Sequence, residues 1–303
     1  MKLNLKIINL QSSPQEVKID NEVFALYDIY CHGGMSRRDF LSRSSLVATS
    51  GLVMAQALLP DYAKAQTNSF TDDRIKAKYV TYDSPGGNDS IMRGYLVQPK
   101  GVGPFPVVLV IHENRGLNPY VEDVARRLAT AGFLALAPDG LFPLGGYPGN
   151  DDDGRDLQSR LDGAKLRIDM LNSAQFLRSH VMSNGNLGVT GFCWGGSTTN
   201  FLAGEMGADL LVAAPYYGAP PEASKVSNIK AHMLIHYAEN DTNMNPMWPN
   251  YEIELKKNNV DYSMFRYSQT QHGFHNNSTP RYNEGAAILS WNRTISHFKK
   301  YLG

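Results

Sequence analysis

Cys193 stands in Gly191-Phe192-Cys193-Trp194-Gly195-Gly196, after the apolar run Leu187-Gly188-Val189-Thr190 and before Ser197 to Met206. The run reads as a buried strand and the following segment as a helix. A reactive residue flanked by glycines on a sharp strand-to-helix turn is a nucleophile elbow, because residues without side chains let the turn tighten and the helix pack close behind it. The first N–H groups of such a helix favour negative charge, on a thiolate or on a developing oxyanion. A buried structural cysteine is the plain alternative, and the partners decide between the two.

A thiol becomes a nucleophile at neutral pH when an imidazole accepts its proton, and a carboxylate on the far ring nitrogen fixes the tautomer and stabilises the imidazolium. The chain offers both groups, placed after apolar runs. Val107-Val108-Leu109-Val110-Ile111 has the continuous apolar character of a central parallel strand, and His112-Glu113-Asn114-Arg115-Gly116 follows it. Ala238-Glu239-Asn240-Asp241 follows the predicted strand Ala231 to Tyr237, and Gln271-His272-Gly273-Phe274-His275 comes after the predicted strand Tyr262 to Tyr267. Ligands of wound sheets bind at the carboxyl ends of the strands, which is where these residues fall. Cys193, Asp241 and His272 then serve as nucleophile, acid and base in that chain order. Glu239 is the rival acid and His275 the rival base; Asp241 is preferred for its position past the strand, His272 for the glycine after it. His232 and His236 share a strand face without a third ligand nearby, so they read as core or rim histidines. His112 could equally be a satisfied buried histidine.

The elements that must position these residues alternate. Ile75 to Tyr82 and Ile91 to Gln98 read as early strands joined by a turn at Gly86-Gly87-Asn88-Asp89, with Phe133 to Pro138 and Asp209 to Tyr217 as further strands. Pro119 to Ala131, Asp156 to Asn184, Pro249 to Asn258 and Glu284 to Tyr301 have helical character. Leu141 to Gly154 reads as a long surface loop, and Asp151-Asp152-Asp153 within it as a solvated acidic turn, since the rest of a calcium loop is missing. The pattern predicts an α/β protein: a doubly wound, mostly parallel sheet with helices on both faces.

On the Glu113 loop, the Cys193 hexapeptide, Asp241 and His272-Gly273-Phe274 together, the chain from about Arg74 to Leu302 resembles the dienelactone hydrolase family of α/β-hydrolases. The resemblance implies a Cys-Asp-His triad that hydrolyses a small ester or lactone through a thioester, with neither metal nor organic cofactor. It also implies that Glu113 helps to switch Cys193 between thiol and thiolate, and by position the backbone N–H groups of Trp194 and Asn114 would form the oxyanion hole. One departure stands out. The family places an arginine four residues after the catalytic histidine to bind a substrate carboxylate, and Asn276 occupies that position here. Arg115 and Arg281 are the candidates to substitute, and Trp248, Tyr216, Tyr217 and Phe142 are aromatic residues that either shape a pocket or pack in the core. A peptidase or acyltransferase on the same triad, and a non-catalytic binding protein on the same fold, are the competing functions.

Composition narrows the partners. Among 303 residues, 29 Lys and Arg balance 29 Asp and Glu, which leaves no basic surface to recruit nucleic acid or anionic membrane. The two cysteines, Cys31 and Cys193, form neither a disulfide framework nor a zinc spacing. No run of 18 apolar residues predicts a stable membrane span. Residues 1–65 differ from residues 66–303, the catalytic domain. Ser36-Arg37-Arg38-Asp39-Phe40-Leu41, the mildly apolar Leu46 to Leu59 and Ala63-Lys64-Ala65 follow the order of a twin-arginine signal and its cleavage site. The expectation is periplasmic or other export through that machinery, with a cytoplasmic protein as the alternative. Either Met35 is the start, or the preceding segment, with a helix expected over Gln15 to Tyr30, is an unusually long leader.

Overall fold

A computed structural model describes residues 20–31, 34–47, 50–57, 59 and 66–303, and the chain divides into two compact units, Met1–Leu59 and Pro60–Gly303. The first unit holds α1 (Asn21–Cys31), α2 (Arg37–Val47) and α3 (Gly51–Ala57). Ser36 caps α2, its Oγ accepting from the Asp39 N–H at 3.1 Å, and Arg37 and Arg38 are exposed in the first turn. Val23, Tyr27, Tyr30, Met35 and Phe40 close a small apolar cluster. The helix expected from Gln15 is described from Asn21 onward. Residues 15–19 and the Ala63-Lys64-Ala65 signal lie outside the described residues. Among those described, no helix is long and apolar enough to cross a membrane.

The second unit is built on eight strands: β1 (Ile75–Asp83), β2 (Ile91–Pro99), β3 (Phe105–Ile111), β4 (Leu134–Pro138), β5 (Ser183–Phe192), β6 (Val212–Tyr216), β7 (His232–Asn240) and β8 (Tyr262–Gln271). They lie in the order β1-β2-β4-β3-β5-β6-β7-β8. β2 runs antiparallel to β1 and β4, and the remaining pairs are parallel. Six helices cover the two faces: α4 (Pro119–Thr130), α5 (Asp151–Ser159), α6 (Gly163–Arg178), α7 (Trp194–Met206), α8 (Trp248–Lys257) and α9 (Glu284–Leu302). This is the α/β-hydrolase architecture.

β3 shows why the central strands are apolar throughout. Val108 and Val110 point to one face, where Val121, Val124 and Leu128 of α4 and Phe298 and Leu302 of α9 receive them. Val107, Leu109 and Ile111 point to the other, against Leu166, Met170 and Leu177 of α6 and Leu202 of α7. Each of the five is fully buried, and each such side chain contributes roughly 1.5–3 kcal/mol. From β3 the chain first winds toward β4 and then returns to place β5 on the opposite side of β3. The carboxyl ends of β3 and β5 therefore flank the switch point at which a wound sheet opens a crevice.

Three expectations need correction. The segment read as a loop contains a short 3₁₀ turn at Phe142–Leu144 and the start of α5, which Asn150 caps by accepting from Asp153 N–H at 2.9 Å. The acidic run is thus the first turn of a helix, where carboxylates meet the positive end of the dipole. The helix expected over Asp156 to Asn184 is broken, because Asp162 takes the N–H groups of Ala164 and Lys165 at 2.9 and 3.1 Å and starts α6 afresh. β5, β7 and β8 each run further than their apolar cores, since ladder hydrogen bonds carry polar residues along with them.

Candidate active site

Cys193 follows β5 directly and caps α7 with φ 56° and ψ −113°, a strained conformation for a residue with a side chain. Two glycines make the turn possible. A Cβ at Gly191 would lie 2.3 Å from the Gly195 carbonyl oxygen, and one at Gly195 would lie 2.3 Å from that of Ile111 and 2.5 Å from that of His112. The second contact presses the elbow against the end of β3. It brings the Glu113 loop alongside Cys193, which is itself only partly buried. Trp194 stacks on His112 with ring centroids 5.3 Å apart. His112 is fully buried, its Nδ1 lies 2.5 Å from the Glu113 carbonyl oxygen, and burial holds its pKa below the usual imidazole value.

Asp241 is the first residue past β7 and His272 the first past β8. Their side chains meet in a buried contact of 2.7 Å between His272 Nδ1 and Asp241 Oδ2. Asp241 Oδ1 also accepts from the N–H groups of Asn243 and Met244 at 3.2 and 3.0 Å. Burial alone would raise the Asp241 pKa, but the hydrogen bond and charge of His272, with those two N–H groups, hold it below the ordinary carboxylate value. A bulge aims the pair. Ala238 is level with Tyr267 and Asn240 with Gln271, so two steps along β7 match four along β8. Gln269 adopts φ 57° within the bulge, and its N–H donates to Glu239 Oε2 at 2.7 Å. Glu239, the rival acid, is exposed and closes this bulge.

His275, the rival base, turns away into a buried aromatic cage. Its Nδ1 lies 2.7 Å from the Tyr120 hydroxyl, its ring stacks on Phe192 at 5.1 Å, and burial pushes its pKa well below the usual value. His236 is likewise satisfied in the core, by the Tyr267 and Thr294 hydroxyls at 2.8 and 3.0 Å, while His232 pairs with Asp261 near the surface. Among the described residues, no group of three His, Cys, Asp or Glu is placed to hold a metal ion.

Glu113 is buried, and its Oε2 accepts from Asn276 Nδ2 at 2.9 Å. The residue that departs from the family pattern is therefore the partner of Glu113. Asn276 is fixed in turn, because its Oδ1 accepts from the N–H and hydroxyl of Ser278 at 3.0 and 2.6 Å. Burial raises the Glu113 pKa, and the nearby Asp151 adds to the rise while Arg115, Asn276 and Arg281 oppose it. The two candidate arginines are both engaged: Arg115 Nη1 reaches Asp151 Oδ2 at 2.9 Å with both side chains 6% exposed, and Arg281 Nη1 donates to the His272 carbonyl at 2.9 Å. Arg281 thus anchors the turn that carries the histidine.

The aromatic candidates divide. Tyr217, fully buried with φ 37°, packs its ring 4.9 Å from that of His272. Tyr216 is a core residue hydrogen-bonded to Thr294 at 2.7 Å, and Phe142 lies under the Arg93 guanidinium. Trp248 opens α8 and packs among Tyr237, Tyr251 and Tyr262. Sequence reasoning missed the Asn276 and Asp151 partnerships; the only signal for the first was the spacing of Asn276 from His272.

Comparison with known proteins gives a consistent picture. The model of the dienelactone hydrolase family matches residues 92–302, and a second, described as YqhI-like, matches residues 13–49. The chain is 33% identical to Protein usf of Aquifex pyrophilus over 231 residues, covering 70% of this chain and 94% of that one. It is 31% identical to a "Putative carboxymethylenebutenolidase" of Synechocystis sp. (strain ATCC 27184 / PCC 6803 / Kazusa) over 248 residues, covering 75% and 98%. Among solved structures, the "Putative Dienelactone Hydrolase" of Klebsiella pneumoniae subsp. pneumoniae MGH 78578 superposes with a TM-score of 0.64 at 26% identity, covering 74% of this chain and all of that one.

Proposed function

The chain belongs to the dienelactone hydrolase family and is a hydrolase of the ester type, and from that premise we propose that it cleaves a small ester or lactone through a Cys193–His272–Asp241 triad and a thioester acyl-enzyme. The observation that carries the reading is the buried 2.7 Å contact between His272 Nδ1 and Asp241 Oδ2. It commits one ring nitrogen to the acid and keeps Nε2 as the base for the thiol. Nε2 takes the Cys193 proton as the sulfur adds to the substrate carbonyl, and the N–H groups of Trp194 and Asn114 receive the oxyanion. Collapse breaks the ester C–O bond while the imidazolium protonates the leaving oxygen. A water molecule, deprotonated by the same nitrogen, then hydrolyses the thioester and restores the thiol.

Glu113 belongs to the same proposal. Its burial and raised pKa suit a carboxyl group that keeps the thiol protonated at rest, and substrate that displaces it releases the thiol to His272 Nε2, which takes the proton. A thiol held in that state is protected from the sulfenic-to-sulfonic oxidation that consumes exposed thiolates. We also propose export by the twin-arginine route. The exposed Arg37 and Arg38 at the start of α2 support it.

Brief exposure to 4-nitrophenyl acetate, followed by acid quench and peptide mass mapping, should place an acetyl group on the Cys193 peptide. A Cys193→Ala protein with near-wild-type esterase activity would refute the triad.

A further inference from the structure

The hydroxyl of Tyr217 is a donor without an acceptor, and the fold places it beside the reacting atoms. Tyr217 is the first residue past β6. Phe192 is level with Tyr216, and the Cys193 N–H donates to the Tyr216 carbonyl oxygen at 3.1 Å, so Tyr217 comes next to the nucleophile on the neighbouring strand. The packed elbow holds it there. A Cβ at Gly196 would lie 2.2 Å from the Tyr216 carbonyl oxygen, and one at Gly218 would lie 2.2 Å from the Gly196 carbonyl carbon. The Tyr217 ring packs 4.9 Å from that of His272, so the residue borders both the nucleophile and the base.

Tyr217 is fully buried, yet its hydroxyl meets no hydrogen-bond partner among the described residues. Its neighbours differ: the hydroxyls of Tyr120, Tyr216 and Tyr267 are engaged with His275, Thr294 and His236 at 2.7, 2.7 and 2.8 Å. A buried donor left unpaired and a tyrosine backbone at φ 37° both cost stability, and such features persist where function uses them. Burial, with Tyr120, Glu113 and Cys193 acting on it in the same direction, holds the Tyr217 pKa well above the usual tyrosine value. The hydroxyl therefore keeps its proton at working pH and can only offer it in a hydrogen bond.

We propose that Tyr217 is a further catalytic residue, whose hydroxyl donates a hydrogen bond to an oxygen of the substrate's reacting ester group once that group has displaced the Glu113 carboxyl. The inference rests on the ester-hydrolase reading of the same site. Negative charge grows on the ester oxygens as the sulfur adds to the carbonyl, so the bond strengthens in the transition state and counts in rate more than in binding. A donor fixed by the same turn as the nucleophile meets that charge without reorienting.

The test is Tyr217→Phe, which keeps the ring and removes only the oxygen. Its kcat/KM for 4-nitrophenyl acetate should fall about tenfold or more. Its Tm should stay at or above that of the wild type, because the group removed had no partner to lose. Its Cys193 thiol should react at the wild-type rate with dithiodipyridine, a thiol reagent that carries no ester oxygen. Unchanged kcat/KM overturns the inference, as does a lowered Tm, which would give the hydroxyl a structural partner. A slowed thiol reaction also overturns it, by placing the action of the hydroxyl on the sulfur. Active wild-type protein with an equally active variant sinks this inference alone, whereas wild-type protein that turns over no ester refutes the hydrolase reading and the inference with it.

Discussion

Substitution of Gly195 by alanine tests the elbow through the contact that presses it against β3. The added Cβ would sit 2.3 Å from the Ile111 carbonyl oxygen and 2.5 Å from that of His112, and relief to even 3.0 Å demands a shift of roughly 0.7 Å. Both obstacles are backbone atoms at the buried end of β3, so no side-chain rotation relieves them. Overpacking of this kind costs about 1–3 kcal/mol, or about 2–4 °C of Tm for each kcal/mol in a domain of this size. The larger effect falls on chemistry. The shift separates the Cys193 turn from the loop that carries Asn114, and loss of one oxyanion donor or a displacement of about 1 Å lowers kcat by about 10²-fold. The assay is 4-nitrophenyl acetate turnover alongside thermal melting. Gly285→Ala is the control, since its added Cβ meets nothing nearer than the Asn283 side chain at 3.8 Å. A Gly195→Ala protein with wild-type kcat would refute the packed elbow as the element that aligns nucleophile and oxyanion hole.

Asp241→Asn should cut kcat on the order of 10²-fold or more, because the amide supports the wrong tautomer of His272; unchanged turnover with a lowered Tm would return Asp241 to a structural role. Glu113→Gln should gain stability relative to wild type as pH rises. The folded-state pKa of Glu113 is raised, so the folded chain keeps a proton that the unfolded chain has lost. Wild type then loses at most about 1.4 kcal/mol per pH unit between the ordinary carboxylate value and the raised one. Parallel Tm-against-pH curves for the two proteins would contradict this, and the same variant should show reduced turnover and an altered pH profile for alkylation of Cys193 by iodoacetamide. Replacing Arg37 and Arg38 together by lysine should leave uncleaved precursor in the cytoplasm, and cleaved, exported protein from that double variant would count against the twin-arginine assignment.

What could be read from the chain were the residues whose placement follows from local pattern. A strand that is apolar throughout announces its own end, as β3 does before Glu113, and the apolar stretches of β5 and β7 fall close before Cys193 and Asp241, while the polar end of β8 before His272 is less plain. Asn276 and Glu113, by contrast, are 163 positions apart, and they meet because the turn after β8 folds back across the end of β3. No spacing rule encodes that meeting. Asp151 was misread for a related reason: an acidic run looks solvated until a distant guanidinium, here that of Arg115, is found buried against it. The break before α6 did carry a signal in Asp162-Gly163, a capping pair overshadowed by the helix formers on either side.

The bulge in β8 has a consequence for how this part of the chain can change its length. Because side chains alternate across a strand, removing or adding one residue between Tyr267 and Gln271 would turn His272 toward the opposite face of the sheet and part it from Asp241. Glu239, two positions before Asp241, closes the bulge from the neighbouring strand by accepting from Gln269 N–H. Single insertions and deletions are therefore closed to β8, and at Gln269, with φ 57°, so are the β-branched residues that strands otherwise favour.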